Sequence, residues 1–153
     1  MVYNILMAQR AKNLKKKSSD VTVAIVEDEA VLSRVLEVKL KNAGFRTMLA
    51  TDGEEASEMI RSKKPDLVLL DLVMPKKDGF AVLRDMREER ATKNTPVVIL
   101  SNYGTDEDRR RGKELGISDY LIKSTTKLNT IVDEVKSVLG CKSGTTPKAR
   151  VVL

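Results

Sequence analysis

Five short apolar runs alternate with longer segments of helical spacing, and that alternation constrains the fold more than any other feature. The runs are VTVAIV (21–26), FRTMLA (45–50), DLVLL (66–70), PVVIL (96–100) and DYLI (119–122). Nearly continuous apolar runs suit strands buried on both faces of a parallel sheet better than half-exposed hairpins. Between them, Leu32, Leu36 and Leu40 share a helical stripe that Gly44 can terminate, and Ala56, Met59 and Ile60 follow Asp52, a candidate N-cap. A third helix is predicted over 80–90, with Val82, Leu83 and Met86 facing inward, and a fourth over 106–115. The last carries Leu128, Ile131, Val132, Val135, Val138 and Leu139 and stops at Gly140. The pattern is therefore (βα)5, and right-handed crossovers favour a doubly wound parallel five-stranded sheet of order 2-1-3-4-5.

A length of 153 residues fits one domain. Histidine is absent and Cys141 is the only cysteine, which excludes disulfides, Cys/His zinc sites and imidazole-based catalysis. Two Phe, three Tyr and no Trp leave little for stacking bases, so direct nucleic-acid binding is not expected. The net charge of +6 belongs to the ends: residues 1–19 and 141–153 together hold 8 of the 28 basic residues and none of the 22 acidic ones. The sequence thus divides into a basic N-terminal extension (1–19), a mildly acidic domain (20–140) and a basic C-terminal tail (141–153). No apolar run approaches the roughly 18 residues of a membrane span, and the start of the chain lacks a signal-peptide pattern. A cytoplasmic protein without membrane insertion is expected.

In an open α/β sheet, function gathers at the carboxyl ends of the strands near the point where the strand order reverses. Strand 1 (21–26) ends in Glu27-Asp28, strand 3 (66–70) in Asp71, strand 4 (96–100) in Ser101 and strand 5 (119–122) in Lys123. Each has an ordinary alternative as a helix cap, a turn residue or a solvated charge. As a set they differ, because carboxylates on neighbouring strands repel unless a cation balances them. Carboxylate oxygens beside water suit Mg2+ better than a transition metal.

These residues resemble the receiver domains of bacterial two-component response regulators, a flavodoxin-like family. The likeness rests on the acidic pair in VEDEA, on D-x-x-M-P-x-x-D-G at 71–79, on the strand-4 hydroxyl Ser101 and on G-x-x-D-Y-x-x-K at 116–123. It implies Asp71 as phosphoacceptor, with Asp28, Asp71 and the Val73 carbonyl as direct Mg2+ ligands and Glu27 as a ligand through water. It further implies that Ser101 and Lys123 bind phosphoryl oxygens and that Tyr120 changes rotamer as Ser101 moves. The partners implied are a sensor histidine kinase or phosphotransfer protein and an unknown downstream protein that reads the face of helix 4, strand 5 and helix 5. Val73 and Tyr103 occupy the positions best placed to orient the water that hydrolyses the aspartyl phosphate.

Departures from the family pattern carry expectations of their own. Ser124 replaces the usual proline after Lys123, so a trans peptide or a more mobile loop is expected there. Asn102 is larger than usual after Ser101 and narrows the pocket, and Arg110 and Lys113 replace apolar residues on helix 4, which points to a monomer or weak dimer. With 13 residues after Gly140, the leading expectation is a stand-alone receiver that acts as a phosphoacceptor signalling domain and not as an enzyme. The alternative is a receiver module cut from a longer, DNA-binding regulator. A carboxylate-dependent phosphatase is a remote third, since Val73 stands where a second acid is needed.

Overall fold

In a computed structural model, which describes residues 18–141 together with Ile5, Met7 and Ala8, all five runs become parallel strands. In chain order the elements are β1 (Thr22–Val26), α1 (Ala30–Asn42), β2 (Arg46–Ala50), α2 (Gly53–Lys63), β3 (Leu67–Leu70), α3 (Gly79–Glu88), β4 (Val97–Ser101), α4 (Asp106–Glu114), β5 (Asp119–Ile122) and α5 (Leu128–Leu139). The sheet order is β2-β1-β3-β4-β5, as expected. Most of both basic ends lies outside the described residues.

Every residue of β3 and β4 is buried, in keeping with a central sheet covered on both faces. One layer packs Ala56 and Ile60 of α2 and Val82, Leu83 and Met86 of α3 on Ala24, Val26, Val68, Leu70, Val97 and Ile99. The other packs Leu36 and Leu40 of α1 and Ile131, Val132, Val135 and Leu139 of α5 on Val23, Ile25, Leu67, Leu69, Val98 and Leu100. The expected inward stripes thus face the sheet. Asp52 caps α2 by accepting the Glu55 N–H at 2.8 Å, and Gly44 and Gly140 leave α1 and α5 with φ of 95° and 69°.

One helix boundary and the burial of one helix differ from expectation. α3 ends at Glu88 and not Arg90, because Thr92 turns back to donate its hydroxyl to the Met86 carbonyl at 2.9 Å. α4 starts as expected, yet of its residues only Gly112 is buried.

At the amino edge of the sheet, Arg87 holds three segments together. Its guanidinium donates to the carbonyls of Leu115 (2.7 Å), Thr95 (2.9 Å), Lys93 (3.1 Å) and Gly116 (3.3 Å). Burial draws its pKa below the ordinary value, and the charge is met by carbonyl dipoles that a shorter or apolar side chain would strand. Arg87→Met should therefore lower stability by about 2–4 kcal/mol, read as a shift of the urea midpoint at constant m. An unchanged midpoint would show that water satisfies those carbonyls equally well.

Candidate functional site

Backbone ladders carry the site residues to one place. The Glu27 N–H donates to the Ala50 carbonyl at 3.0 Å and the Asp71 N–H to the Val26 carbonyl at 3.0 Å, which sets Asp71 beside the end of β1. On the other side, the Lys123 N–H donates to the Ser101 carbonyl at 2.8 Å. Gly79 lets α3 begin against this junction, since a Cβ there would lie 2.2 Å from the Asp71 carbonyl oxygen.

The side chains then converge. Lys123 Nζ stands 2.6 Å from Glu27 Oε2 and 2.9 Å from Asp71 Oδ2, so one ammonium bridges two carboxylates. Glu27 is 2% and Asp71 4% exposed, whereas Asp28 lies open to solvent. Glu27, Asp28 and Asp71 each offer an oxygen within 4.8 Å of the others. Glu27 Oε1 also accepts the Glu29 N–H at 3.0 Å, and the Val73 N–H donates to Asp71 Oδ1 at 3.2 Å. Glu27 therefore holds the backbone just ahead of α1 with one oxygen, without capping the helix, and faces the site with the other.

Burial raises the pKa of both Glu27 and Asp71 despite the opposing hydrogen bonds from Lys123. Burial also disfavours the Lys123 ammonium, but its two carboxylate partners outweigh this and hold its pKa above the ordinary value. With the groups ionised, three carboxylates and one ammonium leave two negative charges uncompensated. An all-oxygen donor set with that deficit fits a divalent, hard cation such as Mg2+.

Ser101 is 1% exposed, and its Oγ accepts the Tyr103 N–H at 3.3 Å. The Tyr120 ring lies inside, 8% exposed, with its hydroxyl donating to the Tyr103 carbonyl. The reason is local: that carbonyl satisfies the hydroxyl, so the ring can be buried at no polar cost. Asn102 is exposed and not packed into the pocket. Val73 and Tyr103 are 63% and 65% exposed. The described peptide bonds, including that between Lys123 and Ser124, are trans, and the loop is ordered by the Thr125 and Thr126 N–H groups donating to the Ile122 carbonyl at 3.3 and 3.0 Å.

Two contacts had no counterpart in the sequence reading. The Arg109 guanidinium carbon lies 4.9 Å from the centroid of the Tyr120 ring, and that of Arg111 lies 4.0 Å from the centroid of Phe80. The available signal was negative: the segment DEDRRRGKE has the length of a helix and no apolar stripe.

The family model of the response regulator receiver domain matches residues 23–136. Among curated proteins, a probable transcriptional regulator of Guillardia theta, ycf27, is 40% identical over 101 residues, which is 66% of this chain and 39% of that protein. The chain thus spans about two fifths of the length of this and similar curated relatives. Among solved structures, the BeF3-activated N-terminal receiver domain of RstA from Klebsiella pneumoniae is 30% identical, with a TM-score of 0.70 over 77% of this chain and 97% of that one. The receiver domain of sensor histidine kinase PA1611 from Pseudomonas aeruginosa is 27% identical, with a TM-score of 0.71 over 78% and 98% of the two chains, and holds a magnesium ion in its active-site cleft.

The raised carboxylate pKa values have a defined sign. The stabilising contribution of such groups is complete below the ordinary carboxylate range and is lost as pH rises through their raised values. At neutral pH without metal the ionised pair is a burden. Asp71→Asn should accordingly stabilise the metal-free protein by about 1–2 kcal/mol at pH 7, with the gain shrinking as pH falls through the carboxylate range. Paired thermal melts at several pH values check both; a variant less stable than wild type at pH 7 would mean that the Lys123 bridge outweighs the repulsion.

Proposed function

We propose, for a chain that belongs to the family of response regulator receiver domains, that Asp71 accepts a phosphoryl group from a phosphohistidine on a sensor histidine kinase or phosphotransfer protein. The observation that carries this reading is the buried Asp71 carboxylate held 2.9 Å from the Lys123 ammonium, among carboxylates that leave room for a divalent cation. In the transfer, an Asp71 oxygen forms the bond to phosphorus as the phosphorus–nitrogen bond of the donor breaks and the imidazole departs. Charge on the three equatorial oxygens is the main obstacle, and positioning with electrostatic compensation supplies nearly all the catalysis.

Lys123 would exchange one carboxylate partner for a phosphoryl oxygen, and the Ser101 hydroxyl would donate to another. Asp28, Asp71 and the Val73 carbonyl would hold Mg2+, with Glu27 acting through water. Bound there, the metal supplies two positive charges against the phosphoryl oxygens. Since these 153 residues contain no histidine, the phosphohistidine lies outside them.

Output is proposed through the face formed by α4, β5 and α5, because Ser101 and Tyr120 share the Tyr103 backbone as hydrogen-bond partner. The relatives named as transcriptional regulators favour a receiver that controls a DNA-binding partner domain over a stand-alone receiver, so the second of the two organisations expected from sequence has the better support. In that organisation DNA contact belongs to the other domain, and the receiver turns over no external substrate.

Incubation with a small phosphodonor tests the core of this reading: the intact mass should rise by one phosphoryl group only with Mg2+, and not in Asp71→Asn. Addition without Mg2+, or at another residue, would overturn it. Decay of the phosphorylated form gives a further expectation, because Val73 and Tyr103 are both exposed and valine offers no hydrogen bond to the in-line water. Val73→Asn together with Tyr103→Glu should speed loss of phosphate by about 10- to 100-fold, followed by intact mass over time. Equal decay of variant and wild type would refute the water-orientation argument.

A further inference from the structure

Among α1–α5, α4 alone buries no side chain; Gly112 is its one buried residue. Elsewhere each helix is fixed by an apolar stripe. α4 instead approaches the body at Gly112, where a Cβ would meet Ile117 Cδ1 at 2.7 Å, and two arginines stack on aromatic rings on either side. Arg111 covers Phe80 of α3, and Arg109 covers Tyr120 of β5. Arg110 points away, paired with Glu107 at 2.7 Å and Glu114 at 2.6 Å.

The two stacks differ in what they touch. Arg109 Nε also donates to the Gly104 carbonyl at 3.4 Å, so its guanidinium spans the loop after β4 and the Tyr120 ring. That loop is already tied to both ends of the switch, since the Tyr103 carbonyl accepts from the Tyr120 hydroxyl and the Tyr103 N–H donates to Ser101 Oγ. A continuous set of contacts therefore runs from Ser101 through Tyr103 and Tyr120 to Arg109 and back to Gly104. The Arg111 stack on Phe80 lies outside it.

We propose that Arg109 is a positioning residue of the switch: by clamping the Gly104 carbonyl and the inward Tyr120 ring together, it sets the fraction of molecules in which Ser101 is poised for a phosphoryl group, whereas Arg111 only fastens α4. This deepens the function proposed above and rests on it for the role of Ser101. A residue that favours the binding-competent arrangement raises apparent affinity in proportion to the population it adds. One exposed cation–π contact and one long hydrogen bond correspond to about 3- to 10-fold in that population.

The test uses the full chain with Arg109→Gln, Arg109→Lys and Arg111→Gln, titrated with beryllofluoride at saturating Mg2+ and followed by amide shifts. Ring-proton signals of Tyr120 are recorded in the untreated proteins. Arg109→Gln should weaken beryllofluoride binding by about 3- to 10-fold and move the Tyr120 signals toward those of a solvated ring. Arg109→Lys, which keeps the charge but loses the planar face, should fall between. Arg111→Gln should speed amide exchange in α4 yet leave beryllofluoride affinity and the Tyr120 signals unchanged. Equal affinity in Arg109→Gln and wild type, or an equal loss in Arg111→Gln, overturns the proposal. Should wild type fail to take up beryllofluoride, the phosphoacceptor reading falls by itself. The Tyr120 signals then still decide whether Arg109 holds the ring: a shift in Arg109→Gln supports the clamp, and identical signals refute it.

Discussion

A single ammonium shared between two buried carboxylates is the interaction around which this molecule is arranged. Lys123 cannot reach both Glu27 and Asp71 unless β5, β1 and β3 end at the same height, and its position is fixed by the backbone bond to Ser101 of β4. Burial makes the carboxylates costly, and one ammonium compensates only part of their charge. The remaining deficit suits the pocket to a hard divalent cation and, on the proposed function, to the oxygens of a phosphoryl group. A fully neutralised pocket would be more stable and would have no reason to bind either.

The fold and the pocket were legible in sequence because both follow from period and topology. Short apolar runs bounded by helical segments suit the strands of a sheet covered on both faces, the intervening stripes place α1 and α5 on one face and α2 and α3 on the other, and the strand order brings Glu27, Asp28, Asp71, Ser101 and Lys123 to one edge whatever the details of packing. Boundaries slipped where a side chain competed with the backbone ladder. Thr92 returning to the Met86 carbonyl ended α3 early, and Asp66 left β3 to accept the Thr22 N–H through its carboxylate at 2.9 Å.

What sequence did not reveal involves groups whose partners are set by tertiary approach and not by spacing. Nothing in a string of residues says that the Tyr120 hydroxyl finds the Tyr103 carbonyl, that Arg87 gathers carbonyls from two loops, or that Arg109 and Arg111 lie over aromatic rings. Arginine side chains on a surface helix ordinarily read as solvated charge, and here the same residues hold the helix down. The organisation of the output is beyond such reasoning too, since it depends on what the domain works with, and there the proposal rests on the relatives and not on the residues.

The contrast between α4 and its neighbours has a thermodynamic meaning. Stripping Leu36 or Leu83 from its layer would open a cavity in a packed core at a cost of several kcal/mol, so α1 and α3 have one position available to them. α4 is held by stacking contacts that each contribute about 0.5–1 kcal/mol near solvent, a scale at which a second position can be populated without unfolding anything else. Elements that must move are drawn from the weakly attached end of a structure, and a phosphoryl group has only a limited differential affinity with which to move them. On the proposed function, placing a charged, loosely held helix next to Tyr120 and Ser101, on a frame whose other four helices are fixed by apolar packing, would confine the response to the one face that connects to the pocket through hydrogen bonds.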